Sequence, residues 1–203
     1  NSEILDIGCG RGKILGTIKS SLKLKSKPTG IDIINHKDKD KRINFKKSDA
    51  TSFFLTSKKK FDLILIKQTI HLLSINSIKN LVNECKKNLN TDGKIFIFTL
   101  DPFKNEIPSF ELMKKKLKRS LKRDKMILKF LSQLNSSKNP KKFFYKVKIT
   151  KKKYLKMIQN RFISTLLPMT KKQISNGIKE IDLKFNKILK FNDNLICIIL
   201  KKN

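Results

Sequence analysis

The stretch that most restricts how this chain can fold is Ile4-Leu5-Asp6-Ile7-Gly8-Cys9-Gly10-Arg11-Gly12-Lys13. A short apolar run over 3–8 reads as a buried strand. It enters a turn built on three alternate glycines and leaves into residues spaced for a helix over about 13–22. Glycines let the backbone turn sharply and let a ligand approach where a Cβ would clash. The following segments repeat the theme. Apolar strands are predicted at 28–33, 43–46 and 61–66. Apolar residues at 75, 78, 81, 82, 85 and 89 have helical spacing. Asn90-Thr91-Asp92-Gly93 reads as a turn, and Lys94–Leu100 as a further strand. Strands alternating with helices imply a parallel sheet with right-handed crossovers.

The second half reads differently. Residues 110–134 form a long basic helix candidate with an apolar stripe through Leu112, Met113, Leu117, Leu121, Ile127, Leu128, Leu131 and Leu134. Ser136–Pro140 is a predicted loop, Phe143–Thr150 an alternating strand, 151–160 and 171–189 helices, and Asn194–Leu200 a final apolar strand with a basic tail. No internal repeat is present. A length of 203 residues suits one domain with a small cap.

Charge bounds the partners less than its size suggests. There are 48 Lys and Arg against 16 Asp and Glu, a net +32, but only Arg11, Arg42, Arg119, Arg123 and Arg161 are arginine. An AT-rich coding sequence favours Lys, Asn, Ile and Phe whatever the function. Phosphate-gripping proteins lean on the planar fork of Arg. Nucleic-acid contact is therefore expected to be weak. No apolar run approaches a membrane span. Cys9, Cys85 and Cys197 lie too far apart for a disulfide framework or a zinc site, which points to a reducing, cytoplasmic setting with no metal. The start, Asn1-Ser2-Glu3, is not a signal or transit peptide.

The glycine spacing is GxGxG rather than the GxGxxG of dinucleotide loops. Asp32 lies 20 residues beyond Gly12, at the end of the second strand, where a carboxylate can accept both hydroxyls of a ribose. Asp49-Ala50 follows the third strand, placed to meet an adenine edge. Together Ile4–Gly12, Gly30-Ile31-Asp32, Ser48-Asp49-Ala50, Phe61-Asp62-Leu63-Ile64 and Leu89–Ile95 resemble the successive motifs of class I S-adenosylmethionine-dependent methyltransferases. The order and spacing match from 3 to 100, about half the chain.

The resemblance implies a Rossmann-like, doubly wound, seven-stranded and mostly parallel α/β sheet in the order 3-2-1-4-5-7-6, with an antiparallel last strand and a helical cap. It implies a single domain over 1–203: a cofactor-binding core at 1–100, a mainly cap and substrate-facing region at about 101–192, and the final strand and tail at 193–203. Gly8, Cys9, Gly10 and Gly12 would line the methionine part of S-adenosylmethionine, with Asp6 near its amino group. Asp32 and Ile33 would border the ribose, Asp49 and Ala50 the adenine, and Ile66, Lys67 and Gln68 the sulfonium. Lys67, His71 and Arg161 are the candidate acceptor contacts. His71 reads either as the catalytic residue or as a half-buried structural histidine, and both readings stand; His36 reads as exposed. Arg161, Ser164 and Thr165 fall in a segment resembling the cap of small-molecule methyltransferases, where they read either as contacts to a polar or carboxylate acceptor or as a cap-packing turn.

The fourth strand ends Ile66-Lys67-Gln68-Thr69, without the Asn/Asp-Pro-Pro-aromatic motif of nucleobase amino methyltransferases. A small-molecule acceptor is therefore expected. An RNA or protein methyltransferase docking through its lysines, or a non-catalytic binding module, are the alternatives. Family members usually carry a helix before the first strand, so the chain also reads as a fragment or trimmed. Neither the acceptor atom nor the oligomeric state is written in the sequence.

Overall fold

The parallel pairing expected of alternating strands and helices is what the computed structural model contains; it describes residues 2–134 and 140–202. The strands are β1 (Ile4–Ile7), β2 (Thr29–Asp32), β3 (Asn44–Lys47), β4 (Phe61–Lys67), β5 (Leu89–Leu100), β6 (Lys141–Thr150) and β7 (Ile188–Lys201). The helices are α1 (Lys13–Ser21), α2 (Ala50–Thr56), α3 (Ile75–Lys87), α4 (Glu111–Gln133), α5 (Lys151–Gln159) and α6 (Lys171–Lys184). The sheet order is β3-β2-β1-β4-β5-β7-β6, the order that the family resemblance implies. β1 runs parallel to β2 and to β4, β2 to β3, and β4 to β5. The parallel strands therefore all end on one edge, where the glycine turn, the β2 end and the β4 end meet.

The chain divides into two compact units: Asn1–Thr99 with Ile127–Lys141 and Ile196–Asn203, and Leu100–Met126 with Lys142–Leu195. The first is cored by strand residues such as Leu5, Ile31, Ile64, Ile66, Ile95 and Ile97. Ile78 and Val82 of α3 and Phe53 and Phe54 of α2 cover them. The second unit is cored by Phe110, Met113, Tyr154, Ile158, Leu166 and Ile181. The last turns of α4 count with the first unit because Ile127, Leu128 and Leu131 pack in the strand core.

Three element boundaries shift, each for a local reason. Residues Asn90–Gly93 are not a free turn but lie within β5. Leu89 pairs with Phe61 across a register irregularity, and the Asn90 side-chain amide donates to Asp62 Oδ1 at 2.6 Å. The helix expected over 171–189 ends at Lys184, and β7 starts at Ile188, because buried Leu189 and half-buried Phe191 follow a period of two. The short helix α2 was not legible as apolar periodicity; it is set by Asp49, whose Oδ1 accepts from the Ser52 amide at 3.0 Å as an N-cap. The loop expected at 136–140 lies, but for Pro140, outside the described residues.

β6 ends the sheet order, and Phe144 and Tyr145 on it are exposed. Lys141, Lys142, Lys146 and Lys148 accompany them, a charge pattern that discourages edge-to-edge pairing with another copy.

The second unit depends on one buried polar contact. Tyr154 is fully buried, meets Phe162 and Phe191 edge-on, and donates its hydroxyl to the Pro108 carbonyl at 2.6 Å. Tyr154→Phe keeps the ring and strands that carbonyl, so it is expected to cost about 1–2 kcal/mol in urea unfolding. An unchanged midpoint would mean that water reaches Pro108 instead.

Candidate active site

The glycine turn is held by main-chain bonds to the neighbouring strand. The amides of Gly8 and Cys9 both donate to the Ile31 carbonyl, at 2.9 and 3.0 Å. Gly8, Gly10 and Gly12 have φ of 73°, 55° and 70°, the left-handed region that side chains resist. The Asp32 carboxylate ties the turn to β2: Oδ2 accepts from the Gly10 amide at 2.8 Å and Oδ1 from the Ile34 amide at 2.9 Å. Gly12 then caps α1, and the Gly16 amide donates to its carbonyl at 2.8 Å. The far side of the turn is fixed by Asp40, whose amide donates to the Arg11 carbonyl at 2.9 Å. Arg42 grips the Asp40 carboxylate through two nitrogens and holds its carboxyl well below the usual range.

The end of β4 folds over this turn. The Gln68 amide donates to the Phe98 carbonyl at 2.8 Å, and Gln68 itself sits at φ 52°, an unusual place for a side chain. That left-handed step delivers Thr69 against Gly8, where its Oγ1 and Cγ2 occupy the space a Gly8 Cβ would need. Thr69 was not among the site residues read from sequence. Nothing in its local pattern marks it, because its role depends on a partner 61 residues away. His71 follows in a half-buried 3-10 turn, Ile70–Leu72.

Electrostatics single out Asp6. It is 4% exposed, and burial pushes its carboxyl up to about 7; the Lys67 ammonium pulls the value down and Asp32 adds to the rise. Cys9 is half-buried against Gly30, and burial with the nearby Asp6 and Asp32 pushes its thiol up to about 12. A thiol held protonated is no nucleophile, so Cys9 fills the turn. Asp49 is pulled below the usual carboxylate range by the Ser52 amide and hydroxyl.

The cradle fits a cofactor that carries an ammonium and hydroxyls. Nothing lies within 4 Å of the position a Gly10 Cβ would take, so open space adjoins the centre of the turn. Beside it stand a buried acid at Asp6 and a carboxylate at Asp32, which keeps lone pairs beyond those its amides use. Of the expected residues, Asp6, Gly8, Cys9, Gly10, Gly12, Asp32, Ile33, Asp49, Ala50, Ile66, Lys67, Gln68 and His71 all belong to the first unit. Ile66 is fully buried in the strand core, so its side chain is packing. Arg161 belongs to the second unit and is redirected. Its Nη1 donates to the Leu166, Leu167 and Met169 carbonyls at 2.7, 2.8 and 2.5 Å, which makes it the organiser of the turn before α6 rather than a free acceptor contact.

A glycine cradle at the strand-end edge of a sheet ordered 3-2-1-4-5-7-6 defines a class I methyltransferase fold. Residues 4–93 match the family model described as methyltransferase domain. No curated protein matches the sequence. Among solved structures, a SAM dependent methyltransferase from Archaeoglobus fulgidus is 21% identical with a TM-score of 0.54, covering 99% of this chain and 86% of its own. The plantazolicin methyltransferase BamL, in complex with a triazolic desmethylPZN analog and SAH, is 18% identical with a TM-score of 0.54, covering 100% and 77%. Its counterpart BpumL, with a monoazolic analog and SAH, is 17% identical at 0.52, covering 100% and 76%. The sequence match shows a methyltransferase domain over residues 4–93, and the solved structures show that the chain shares the class I methyltransferase fold.

Two outcomes test this geometry. Gly8→Ala is expected to destabilise by roughly 2–4 kcal/mol, combining left-handed strain with the clash on Thr69. Adding Thr69→Ala should recover the steric share, giving a coupling of about 1 kcal/mol or more in a double-mutant cycle. Strict additivity would sink the contact. Asp6 offers a pH signature. The fold keeps its proton up to about pH 7, whereas the unfolded chain releases it near 4. Between those values the native state binds the extra proton, so stability falls as pH rises through that window. Asp6→Asn should remove a contribution on the order of 4 kcal/mol across it, read by urea unfolding from pH 4 to 8. Identical slopes in wild type and variant would refute the buried acid.

Proposed function

We propose that the enzyme methylates a small-molecule acceptor, and that Asp6, Gly8–Gly12, Asp32, Ile33, Asp49, Ala50, Lys67 and Gln68 hold the donor. The observation that carries the donor site is the open cradle at Gly10 with Asp6 and Asp32 beside it. S-adenosylmethionine supplies a methyl group already activated on a sulfonium, so the protein chiefly aligns an in-line displacement and excludes water. In this reading Asp6 becomes a carboxylate when an ammonium is laid against it, which reverses the burial cost. Asp32 accepts ribose hydroxyls while its amide bonds keep the turn shaped.

Lys67 stands at the end of β4, and its charge is already set against Asp6. The Asp6 charge is committed to the donor's ammonium in this reading, so an acidic acceptor beside Lys67 would relieve the repulsion between that cation and the sulfonium. His71 is the group that takes a proton where the acceptor must lose one. The small-molecule reading is supported by Ile66-Lys67-Gln68-Thr69, which lacks the nucleobase motif, and by the natural-product ligands named for BamL and BpumL. The three free cysteines support a reducing, cytoplasmic setting. No described helix is long and apolar enough to cross a membrane.

The test has two arms. Calorimetry with S-adenosylhomocysteine should show binding that Asp32→Ala weakens roughly 10- to 100-fold, as for a lost charged hydrogen bond. Equal affinity would remove Asp32 from the site. Incubation with methyl-labelled donor and a fractionated cell extract should place label in the small-molecule fraction. Label in RNA or protein alone would replace this reading with one of its alternatives.

A further inference from the structure

The second unit contains a cleft of about 1020 Å³ that none of the proposed donor-site residues lines. It lies between the Pro102–Ser109 loop, the first half of α4 and the turn from α6 into β7. Its apolar lining is Ile107, Leu117, Leu121, Phe185, Ile188 and Leu189; Leu117 and Leu189 are buried, and Ile188 is 48% exposed. Six lysines border it: Lys114, Lys118, Lys122, Lys125, Lys184 and Lys190. Four of these form one stripe of α4, at spacings of 4, 4 and 3 residues, with Leu117 and Leu121 set between them.

A lysine-rich chain scatters ammonium groups everywhere, so their number alone decides nothing. What distinguishes this place is the lack of compensation around a concavity. None of the six forms an ion pair among the described residues. The one acid in the lining, Glu106, spends Oε2 on the Asn192 amide and side chain at 3.0 and 2.7 Å, and Lys104 stands 3.8 Å from Oε1. Lys125 lies over the Phe103 ring at 4.8 Å, an arrangement that leaves its charge uncancelled. Like charges gathered on one rim repel, and an anion placed among them relieves that repulsion. An apolar floor under a cationic rim also selects against ions with no apolar body, whose binding would leave the floor wet.

We propose that this cleft binds a single amphipathic anion: an apolar chain lying on Leu117, Leu121 and Leu189, with a phosphate, sulfate or carboxylate head among the lysines. The volume is that of a small-molecule pocket rather than of a flat nucleic-acid track. The proposal does not rest on the methyltransferase reading, since its experiment contains no methyl donor.

The experiment is calorimetry of the full chain with octyl, decyl and dodecyl phosphate, each below its micellar concentration. Affinity should rise by about three- to fourfold per buried methylene, and inorganic phosphate and a neutral dodecyl glycoside should bind far more weakly. The pair Lys118→Gln/Lys122→Gln should weaken dodecyl phosphate by roughly 3- to 10-fold. Lys172→Gln/Lys179→Gln, outside the cleft on α6, should not. Equal loss in the two double variants would show diffuse attraction to net charge and overturn the site. So would affinity independent of chain length, or a preference for anionic vesicles or an RNA oligonucleotide that the cleft substitutions leave intact.

Discussion

The site depends on one carboxylate that faces two ways. Asp32 ends β2, and its two oxygens accept the amides of Gly10 and Ile34. Three left-handed glycines in five residues have little reason to keep one shape, because glycine loses the most backbone freedom on ordering. The main-chain bonds to Ile31 fix where the turn begins, and Asp32 fixes its middle. Gly10 can then stay open without collapsing. The same acid that would receive a ligand is thus the one that shapes the cradle, and loss of binding on its removal combines both effects.

Much of this was legible because it is local. The glycine spacing, the apolar strand before it and the carboxylate 20 residues on lie close together in the sequence, and parallel pairing follows from alternation, whereas the strand order comes from the family resemblance. What escaped reading is non-local. Thr69 matters only because Gln68 takes a left-handed step that sets it under Gly8. Arg161 reads in the sequence either as an acceptor contact or as part of a cap-packing turn, and only its partners decide between them. Its three carbonyl partners lie five to eight residues on, in a turn that no periodicity announces. The Asn90–Gly93 segment has turn composition and still joins β5, since Leu89 before it pairs with Phe61 and Lys94 after it with Leu63.

Helix α4 shows how one amphipathic pattern can serve two cores. Met113 belongs to the core of the second unit, and Ile127, Leu128 and Leu131 to that of the first. Between them Asp124 is buried, with Oδ1 lacking a partner among the described residues and its carboxyl pushed up to about 6 by burial. A continuous apolar stripe was the sequence expectation. The acid interrupts it within three residues of the division between the units. A buried acid there costs stability that an apolar residue would not, so the changeover is a weak point of the helix.

In the proposed reaction the acids at the glycine turn answer a question of charge. A bound donor would bring two positive centres, its ammonium and its sulfonium, into a protein whose net charge is already +32. Long-range repulsion of that sign is screened within about 8–10 Å at ordinary ionic strength, so the local groups decide. Around the cradle those are Asp6 and Asp32 against Lys67 and Arg11. Arg11 is offset by Asp38 at 2.8 Å, and Lys67 acts on Asp6. The cradle is therefore a pocket of acid in a basic molecule. A buried acid that is near half-protonated at neutral pH becomes a full anion when an ammonium approaches. The negative charge thus appears with the ligand that needs it, and the empty fold is spared part of the cost of burying it.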